Sequence, residues 1–221
     1  PHHRELHDEL RRQRQMCIRA STTLRISVCE GLTALPELSS LVALTTLKIS
    51  ACDRLTALPE LSSLSSLTTL KISSCDRLSA LPELSSLAVL TTFSIDYCEG
   101  LTALPDLSSL VALTTLTISH CKGLKALPEL SSLVALTTLE IMFCDGLIAL
   151  PELSSLEALT TLDISRCANV TALSITINVA TILRLTELKA IVRGSNHSCQ
   201  GCGRSFFVLH VIMDPTCAEH L

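Results

Sequence analysis

Aromatic side chains are almost missing from this sequence. Its 221 residues include no tryptophan, one tyrosine and four phenylalanines, so aromatic residues account for 2% of the chain. An aromatic side chain at the surface therefore stands out, because such residues are frequent anchors of protein interfaces.

Excess positive charge and long apolar runs are missing as well. The net charge is −4 and the pI is about 6.0, which gives no reason to expect a nucleic-acid partner. No apolar run reaches the roughly 18 residues of a membrane-spanning helix, and no secretory signal is visible. The sequence also contains no glycine-rich phosphate loop, HExxH motif or nucleophile elbow. We therefore expect a chain without a membrane span and without enzymatic activity.

The dominant feature that is present is a repeat of 23 residues, marked by cysteine at seven positions: Cys29, Cys52, Cys75, Cys98, Cys121, Cys144 and Cys167. The pattern around each cysteine is L-x-x-L-x-I-x-x-C-x-x-L-x-x-L-P, with Phe93 and Ser21 as departures. A fixed period of this length is typical of stacked units, each too small to bury its own apolar residues.

Each repeat predicts one short strand and one return segment. Leu47 and Ile49 alternate with polar neighbours, which is the pattern of a strand with one buried face. We predict strands near 24–28, 47–51, 70–74, 93–97, 116–120, 139–143 and 162–166, with a degenerate eighth near 182–186. The return segment, Leu-Pro-Glu-Leu-Ser-Ser-Leu, predicts one or two turns of α or 3₁₀ helix.

The run L-x-x-L-x-I-x-x-C followed by L-x-x-L-P resembles the leucine-rich repeats of plant disease-resistance proteins and related plant-type intracellular repeats. The resemblance covers roughly residues 18–190. It implies an α/β repeat solenoid, an arc with a parallel β-sheet on its concave face and short helical segments on its convex side. It also implies protein binding, in intracellular sensing, defence or signalling.

The chain divides into three segments. Residues 1–20 are predicted to be a polar helix that caps the first repeat, residues 21–190 the solenoid, and residues 191–221 a tail rich in cysteine and histidine. Because the chain begins with Pro1, we expect a fragment or a processed product. The degenerate eighth repeat is typical of a terminal cap and argues against end-to-end stacking, so we expect a monomer.

The seven repeated cysteines are interpreted as a structural ladder of free thiols. Equivalent side chains in stacked coils point the same way, which disfavours disulfide bonds between them. A buried free cysteine behaves as a small apolar residue with a weak hydrogen-bond donor. Free thiols in this number favour a reducing, cytoplasmic location.

Two sets of outward-facing positions differ between otherwise similar repeats. The position between Leu and Ile changes from basic to acidic along the chain: Arg25, Lys48, Lys71, Ser94, Thr117, Glu140 and Asp163. The position before each cysteine changes from small to large: Val28, Ala51, Ser74, Tyr97, His120, Phe143 and Arg166. We predict a partner-binding row of Tyr97, His120, Phe143 and Arg166, flanked by Asp96, Met142, Glu140 and Asp163. The alternative is random drift at unconstrained surface positions.

The tail differs in kind from the repeats. Cys199-x2-Cys202 and Cys217-x2-His220 have a spacing suited to one tetrahedral zinc ion. With Gly203 and Phe206, the first pair resembles the C-x-x-C-G-x-x-F knuckle of treble-clef zinc fingers, and His197 and His210 are alternative ligands. Zinc is the one cofactor that the sequence suggests, and the solenoid requires none. The alternative is an apolar tail that caps the last coil.

The sequence therefore predicts a scaffold that binds another protein through its concave face. One alternative is an adaptor whose zinc knuckle makes the contact. Another is a structural spacer without a specific partner, which would be favoured if Tyr97, His120 and Phe143 were buried.

Overall fold

The computed structural model describes residues 22–170, together with the backbone of residues 187–190, 197–198 and 205–206. Eight strands form one sheet: β1 Thr23–Ser27, β2 Thr46–Ser50, β3 Thr69–Ser73, β4 Thr92–Asp96, β5 Thr115–Ser119, β6 Thr138–Met142, β7 Thr161–Ser165 and β8 Glu187–Ala190. A second, antiparallel pair consists of β9 His197–Ser198 and β10 Ser205–Phe206. In this part of the chain, no helix has the length and apolar character needed to cross a membrane.

The eight strands lie side by side in chain order and every neighbouring pair is parallel. From β1 to β7 each residue pairs with the residue 23 positions later, as in Leu24 with Leu47. The fold is therefore a leucine-rich repeat solenoid with one strand per coil, as the repeat predicts. We number the coils 1 to 7 after strands β1 to β7.

Leucine and isoleucine fill the interior of the stack. In β2, Leu47 and Ile49 point inward with 0% and 1% of their surface exposed, while Thr46, Lys48 and Ser50 point outward. Phe93 takes the place of leucine in β4 and is fully buried. Burial on one face of each strand fixes the register, because a shift by one residue would turn every apolar side chain outward.

The return segments consist of successive turns within residues 22–170, and the predicted helical turns do not form there. The amide of Leu41 donates to the carbonyl of Leu38, and the amide of Leu44 donates to that of Leu41, both at 2.9 Å. Every third residue is a leucine that points inward. The chain therefore makes one turn between each leucine and the next. Asp106 stabilises one such segment by accepting hydrogen bonds from the amide and hydroxyl of Ser108, which lower the pKa of its carboxyl group.

Two ladders of backbone hydrogen bonds connect the coils. In the first, the carbonyl of Thr22 accepts from the amides of Thr45 and Thr46 at 2.8 and 2.9 Å and from the Thr45 hydroxyl at 3.0 Å. In the second, on the descending flank, the amide of Thr56 donates to the carbonyl of Thr33 at 3.1 Å. Both patterns recur along the stack, so neighbouring coils keep strand-like spacing on the sheet side and on this flank.

Each of the first seven strands ends one residue earlier than predicted. The next residue has a left-handed backbone in all seven coils, with φ between 49° and 56°: Val28, Ala51, Ser74, Tyr97, His120, Phe143 and Arg166. This conformation breaks the alternation of the strand, so the residue before each cysteine faces outward and the cysteine faces inward.

The eighth strand begins later than predicted. Glu187 pairs with Thr161, an offset of 26 positions in place of 23. The predicted range 182–186 lies outside the described residues, as does the predicted helix over 1–20.

Candidate functional site

The repeated cysteines form a column directly behind the sheet. Six of the seven are buried, Cys29 is half-buried, and all seven thiols are free. Each Sγ donates to the carbonyl two residues before it, at 3.3 to 3.6 Å, as Cys121 does to Ser119. Burial raises the pKa of the Cys52 thiol, and the hydrogen bond with Cys121 and burial raise that of Cys144 to about 12. Cys52 and Cys144 are therefore protonated at neutral pH and poorly reactive. Cys75 differs, because a hydrogen bond with Cys98 lowers the pKa of its thiol.

The left-handed position next to each cysteine holds the predicted row. Its amide still bonds to the next coil, as that of His120 does to the carbonyl of Met142 at 3.0 Å. The hydrogen bond keeps the backbone in a conformation that residues other than glycine rarely adopt. Sequence reasoning missed this conformation because none of the seven positions carries glycine, asparagine or aspartate, the residues that would signal it.

Four side chains of this column form one continuous stack. The rings of Tyr97 and His120 lie 4.0 Å apart with 8° between their planes, and those of His120 and Phe143 lie 4.4 Å apart with 11° between them. The guanidinium of Arg166 lies 5.1 Å from the centre of the Phe143 ring, within range of a cation–π interaction. Tyr97 remains 47% exposed. We call these four residues the aromatic row.

Asp96 connects the aromatic row to the sheet. Its Oδ1 lies 3.2 Å from Nδ1 of His120 and accepts a hydrogen bond from the hydroxyl of Ser119. The sequence predicts Asp96 beside the row but gives no indication that the Ser119 hydroxyl would donate a hydrogen bond to it. Because the serine donates to the carboxylate and not to the imidazole, the three residues are not arranged as a nucleophile with its base.

The remaining predicted residues lie beside the row on the same face. Met142 ends β6 one position before Phe143, and Glu140 and Asp163 occupy paired positions in β6 and β7. The Thr117 hydroxyl donates to Glu140 at 3.2 Å, a contact that sequence reasoning did not anticipate. The structure thus brings all eight predicted partner-binding residues onto the outer face of the sheet.

The predicted zinc ligands Cys199, Cys202, Cys217 and His220 lie outside the described residues. Among the described residues, no group of three His, Cys, Asp or Glu side chains could hold a metal ion.

The sequence matches no protein-family model and no curated protein. Among solved structures, it is similar to a leucine-rich repeat protein of Leptospira interrogans, with 24% identity and a TM-score of 0.47 over 72% of this chain and 46% of that one. It is also similar to the leucine-rich repeat domain of the type III effector XopL, with 19% identity and a TM-score of 0.41 over 80% and 79%. A third similar structure is the functional domain of InlJ from Listeria monocytogenes, which includes a cysteine ladder, with 21% identity and a TM-score of 0.41 over 76% and 43%. The chain thus spans less than half of the Leptospira protein's length.

Proposed function

We propose that this chain is a protein-recognition scaffold that binds its partner through the outer face of the sheet. The observation that carries the proposal is the aromatic row, in which four coils each contribute one large side chain to a single stack. Tyrosine and arginine are among the residues that contribute most to binding energy at protein interfaces.

The row is preorganised for binding. Its rings hold one another in place, the imidazole of His120 is held by Asp96, and the backbone beneath is bonded to the next coil. A side chain already ordered loses less conformational entropy when a partner binds. The spacer alternative would be favoured by a buried row, whereas Tyr97 is 47% exposed.

The proposal extends to the setting in which the chain works. The resemblance of the repeat to plant-type intracellular repeats favours a role in sensing, defence or signalling. The seven free thiols of the described residues favour a reducing compartment such as the cytoplasm. No catalytic role is included in the proposal.

A capture experiment with a matched control tests the proposal. The parent chain is compared with a triple variant, Tyr97→Ala, His120→Ala and Phe143→Ala, for proteins retained from source-cell lysate. The control is Val42→Ala, Val111→Ala and Val134→Ala, which truncates exposed side chains on the return segments. We expect a partner that the control retains and the row variant loses, with all three chains giving the same circular dichroism. Equal retention by all three would contradict the proposal.

A second candidate function is a zinc adaptor that binds its partner through the tail. It is favoured by two observations. His197–Ser198 and Ser205–Phe206 pair as antiparallel strands, and the sequence between and after them holds Cys199-x2-Cys202 and Cys217-x2-His220, a spacing suited to one zinc ion. We expect about one zinc per chain by elemental analysis of the purified protein, and its loss in Cys199→Ser with Cys202→Ser. Metal-free protein would contradict this candidate.

A further inference from the structure

Charge is ordered along the outer face of the sheet. The central outward position of each of the first seven strands pairs in register with its neighbours. Along the chain it is occupied by Arg25, Lys48, Lys71, Ser94, Thr117, Glu140 and Asp163. We call these seven residues the charge column. Like charges therefore lie about 4.8 Å apart in coils 1 to 3 and again in coils 6 and 7. Beyond coil 7, the residue that pairs with Asp163 in β8 is Lys189. Within residues 22–170 no charged member of the column forms an ion pair with another described side chain.

Side-chain size is ordered along the same direction. The left-handed position is occupied by Val28, Ala51 and Ser74 in coils 1 to 3 and by the aromatic row in coils 4 to 7. One half of the face thus carries small side chains beside basic ones. The other half carries large side chains beside acidic ones.

Charge and side-chain size both change along the stack in opposite senses on either side of β4. Coils 1 to 3 are therefore complementary to coils 5 to 7. A two-fold axis parallel to the strands and passing over β4 would place a second copy face to face with the first, with coil 1 opposite coil 7. The charge column would then oppose Arg25 to Asp163 and Lys48 to Glu140, each pair occurring twice. In the left-handed column, Ala51 would oppose Phe143, and Tyr97 would meet its own copy at the axis.

We propose that the partner of this face is a second copy of the chain, packed in this two-fold arrangement. The proposal rests on the proposed function, because it takes the outer face of the sheet as the recognition surface. Charge complementarity fixes the register, and small side chains opposite large ones let the two faces approach closely. A two-fold interface requires a self-complementary patch, which is what the two columns provide.

The face has the size of a modest interface. Seven strands at about 4.8 Å and about six residues at roughly 3.3 Å give an area on the order of 600 Å² per chain. A standard interface buries about 800 Å² per partner, so we expect a reversible dimer.

One contact of this arrangement is unfavourable. The two copies of Asp96 would come near each other at the axis. Each is already bonded to Ser119 and His120 of its own chain, and Lys71 of the other copy lies one coil away. The dimer also departs from the monomer expected from the sequence. That expectation was based on the eighth repeat, which argues against end-to-end stacking of coils. Face-to-face packing does not use the ends of the solenoid, so the eighth repeat does not oppose it.

A charge-exchange experiment tests the proposal by sedimentation of the full chain. We expect the parent chain to dimerise reversibly. Lys48→Glu and Glu140→Lys should each weaken the dimer about 100-fold, because symmetry makes each change create two like-charge pairs. Mixing the two single variants should restore a dimer of parent-like affinity, because each opposing pair is then again of opposite charge. The chain carrying both changes should dimerise by itself for the same reason.

The results separate this proposal from the proposed function. A parent chain that stays monomeric at every concentration, or single variants whose mixture gains no affinity, would overturn the second-copy proposal. If such a monomer still captured a partner that the aromatic-row variant loses, protein recognition by this face would stand with a different partner. Matching circular dichroism and melting curves of all variants exclude misfolding as the cause of any loss.

Discussion

Coils 1 to 3 and coils 4 to 7 have the same interior but different outer faces. Inside, both halves turn leucine and isoleucine inward on their strands, with Phe93 in place of leucine in β4 and a cysteine in the turn that follows each strand. Leu24 and Ile26 of β1 are half-buried. Outside, the first half carries small and basic side chains, and the second carries the aromatic row and three acidic residues, Asp96, Glu140 and Asp163. The interior cannot vary much because each coil must fit the coils above and below it. The outer face has no such constraint and is the place where one repeat can differ from the next.

The largest effect is expected at Phe93, an interior position at the boundary between the two halves. Phe93 is fully buried in β4, while its paired neighbours Leu70 and Leu116 are leucines. Phe93→Ala should lower the free energy of unfolding by about 3–5 kcal/mol, because it leaves a cavity in a packed core. Urea unfolding followed by circular dichroism measures the change.

Two controls accompany this prediction. Phe93→Leu restores the residue of the other coils and should lose less than Phe93→Ala. Tyr97→Ala, on the outer face, should lose about 1 kcal/mol or less, since its side chain is 47% exposed. If Phe93→Ala and Tyr97→Ala lost the same amount, the contrast between a fixed interior and a free outer face would be wrong.

The turn after the cysteine differs between coils as well, although not along the boundary between the two halves. Arg54 and Arg77 occupy one turn position in coils 2 and 3, where coil 6 has Gly146. A Cβ on Gly146 would lie 2.1 Å from the backbone oxygen of Lys122, so Gly146→Ala should destabilise the chain by about 1–3 kcal/mol.

The matched control is Gly31→Ala. Apart from its chain neighbours, no described residue lies within 4 Å of a Cβ added at Gly31, so this change should be near neutral. Thermal melting of both variants measures the difference. Equal melting temperatures would mean that the turns of the second half adapt to a side chain as those of coils 2 and 3 do.

Much of the fold could be predicted from the sequence because the repeat encodes it. Leu47 and Ile49 recur in every coil as an inward pair, and that alternation determines the strand, its face and its register. The return segment could not be predicted as easily. Pro-Glu after Leu favours a helix start, but leucines at every third position require successive turns, and burial of those leucines prevails over the local preference.

Less of the candidate site could be predicted. Because equivalent positions of stacked coils lie side by side, the row itself could be predicted. The inward–outward alternation of a strand, however, would point Tyr97 into the interior. Its outward direction depends on the left-handed backbone, which a tyrosine does not signal. The hydrogen bond from Ser119 to Asp96 depends on side chains in neighbouring coils, and only coordinates show it.

The buried thiols of coils 6 and 7 predict that the fold is sensitive to alkali. The hydrogen bond with Cys121 and burial raise the pKa of Cys144 to about 12, and a bond to Cys144 and burial also raise the pKa of Cys167. In the unfolded chain a thiol has a pKa of about 8.5. The stabilisation is therefore complete below about pH 8.5 and is lost as pH rises toward 12. The expected slope is about 1.4 kcal/mol per pH unit for each such thiol.

Urea unfolding at several pH values between 7 and 11 measures this slope. Cys144→Ala should unfold more easily at pH 7 and show a shallower decline at high pH, because one thiol no longer ionises on unfolding. A parent chain whose free energy of unfolding stays constant up to pH 11 would contradict the prediction.

The smallest effect tests whether the aromatic row can be extended into the first half. Ser74 is the left-handed residue of coil 3, directly next to Tyr97 in coil 4. Ser74→Tyr should add a ring to the stack, since the two positions have the same backbone conformation and the same spacing as Tyr97 and His120. Aromatic pairs of this kind contribute about 0.5–1.5 kcal/mol beyond the area that they bury.

A double-mutant cycle isolates that contribution from other effects of the new side chain. The free energy of unfolding is measured for Ser74→Tyr, Tyr97→Ala, both together and neither, and the coupling should be about 0.5–1 kcal/mol in favour of the pair. The matched control is Ala51→Tyr, which places a ring one coil farther away, next to Ser74, and should show no coupling with Tyr97→Ala. A coupling near zero for Ser74→Tyr would mean that a ring at position 74 does not stack on Tyr97, so the side chains alone do not limit the row to coils 4 to 7. In that case the boundary between the two halves is a property of the backbone, whereas a clear coupling would make the boundary a matter of which residue each repeat carries.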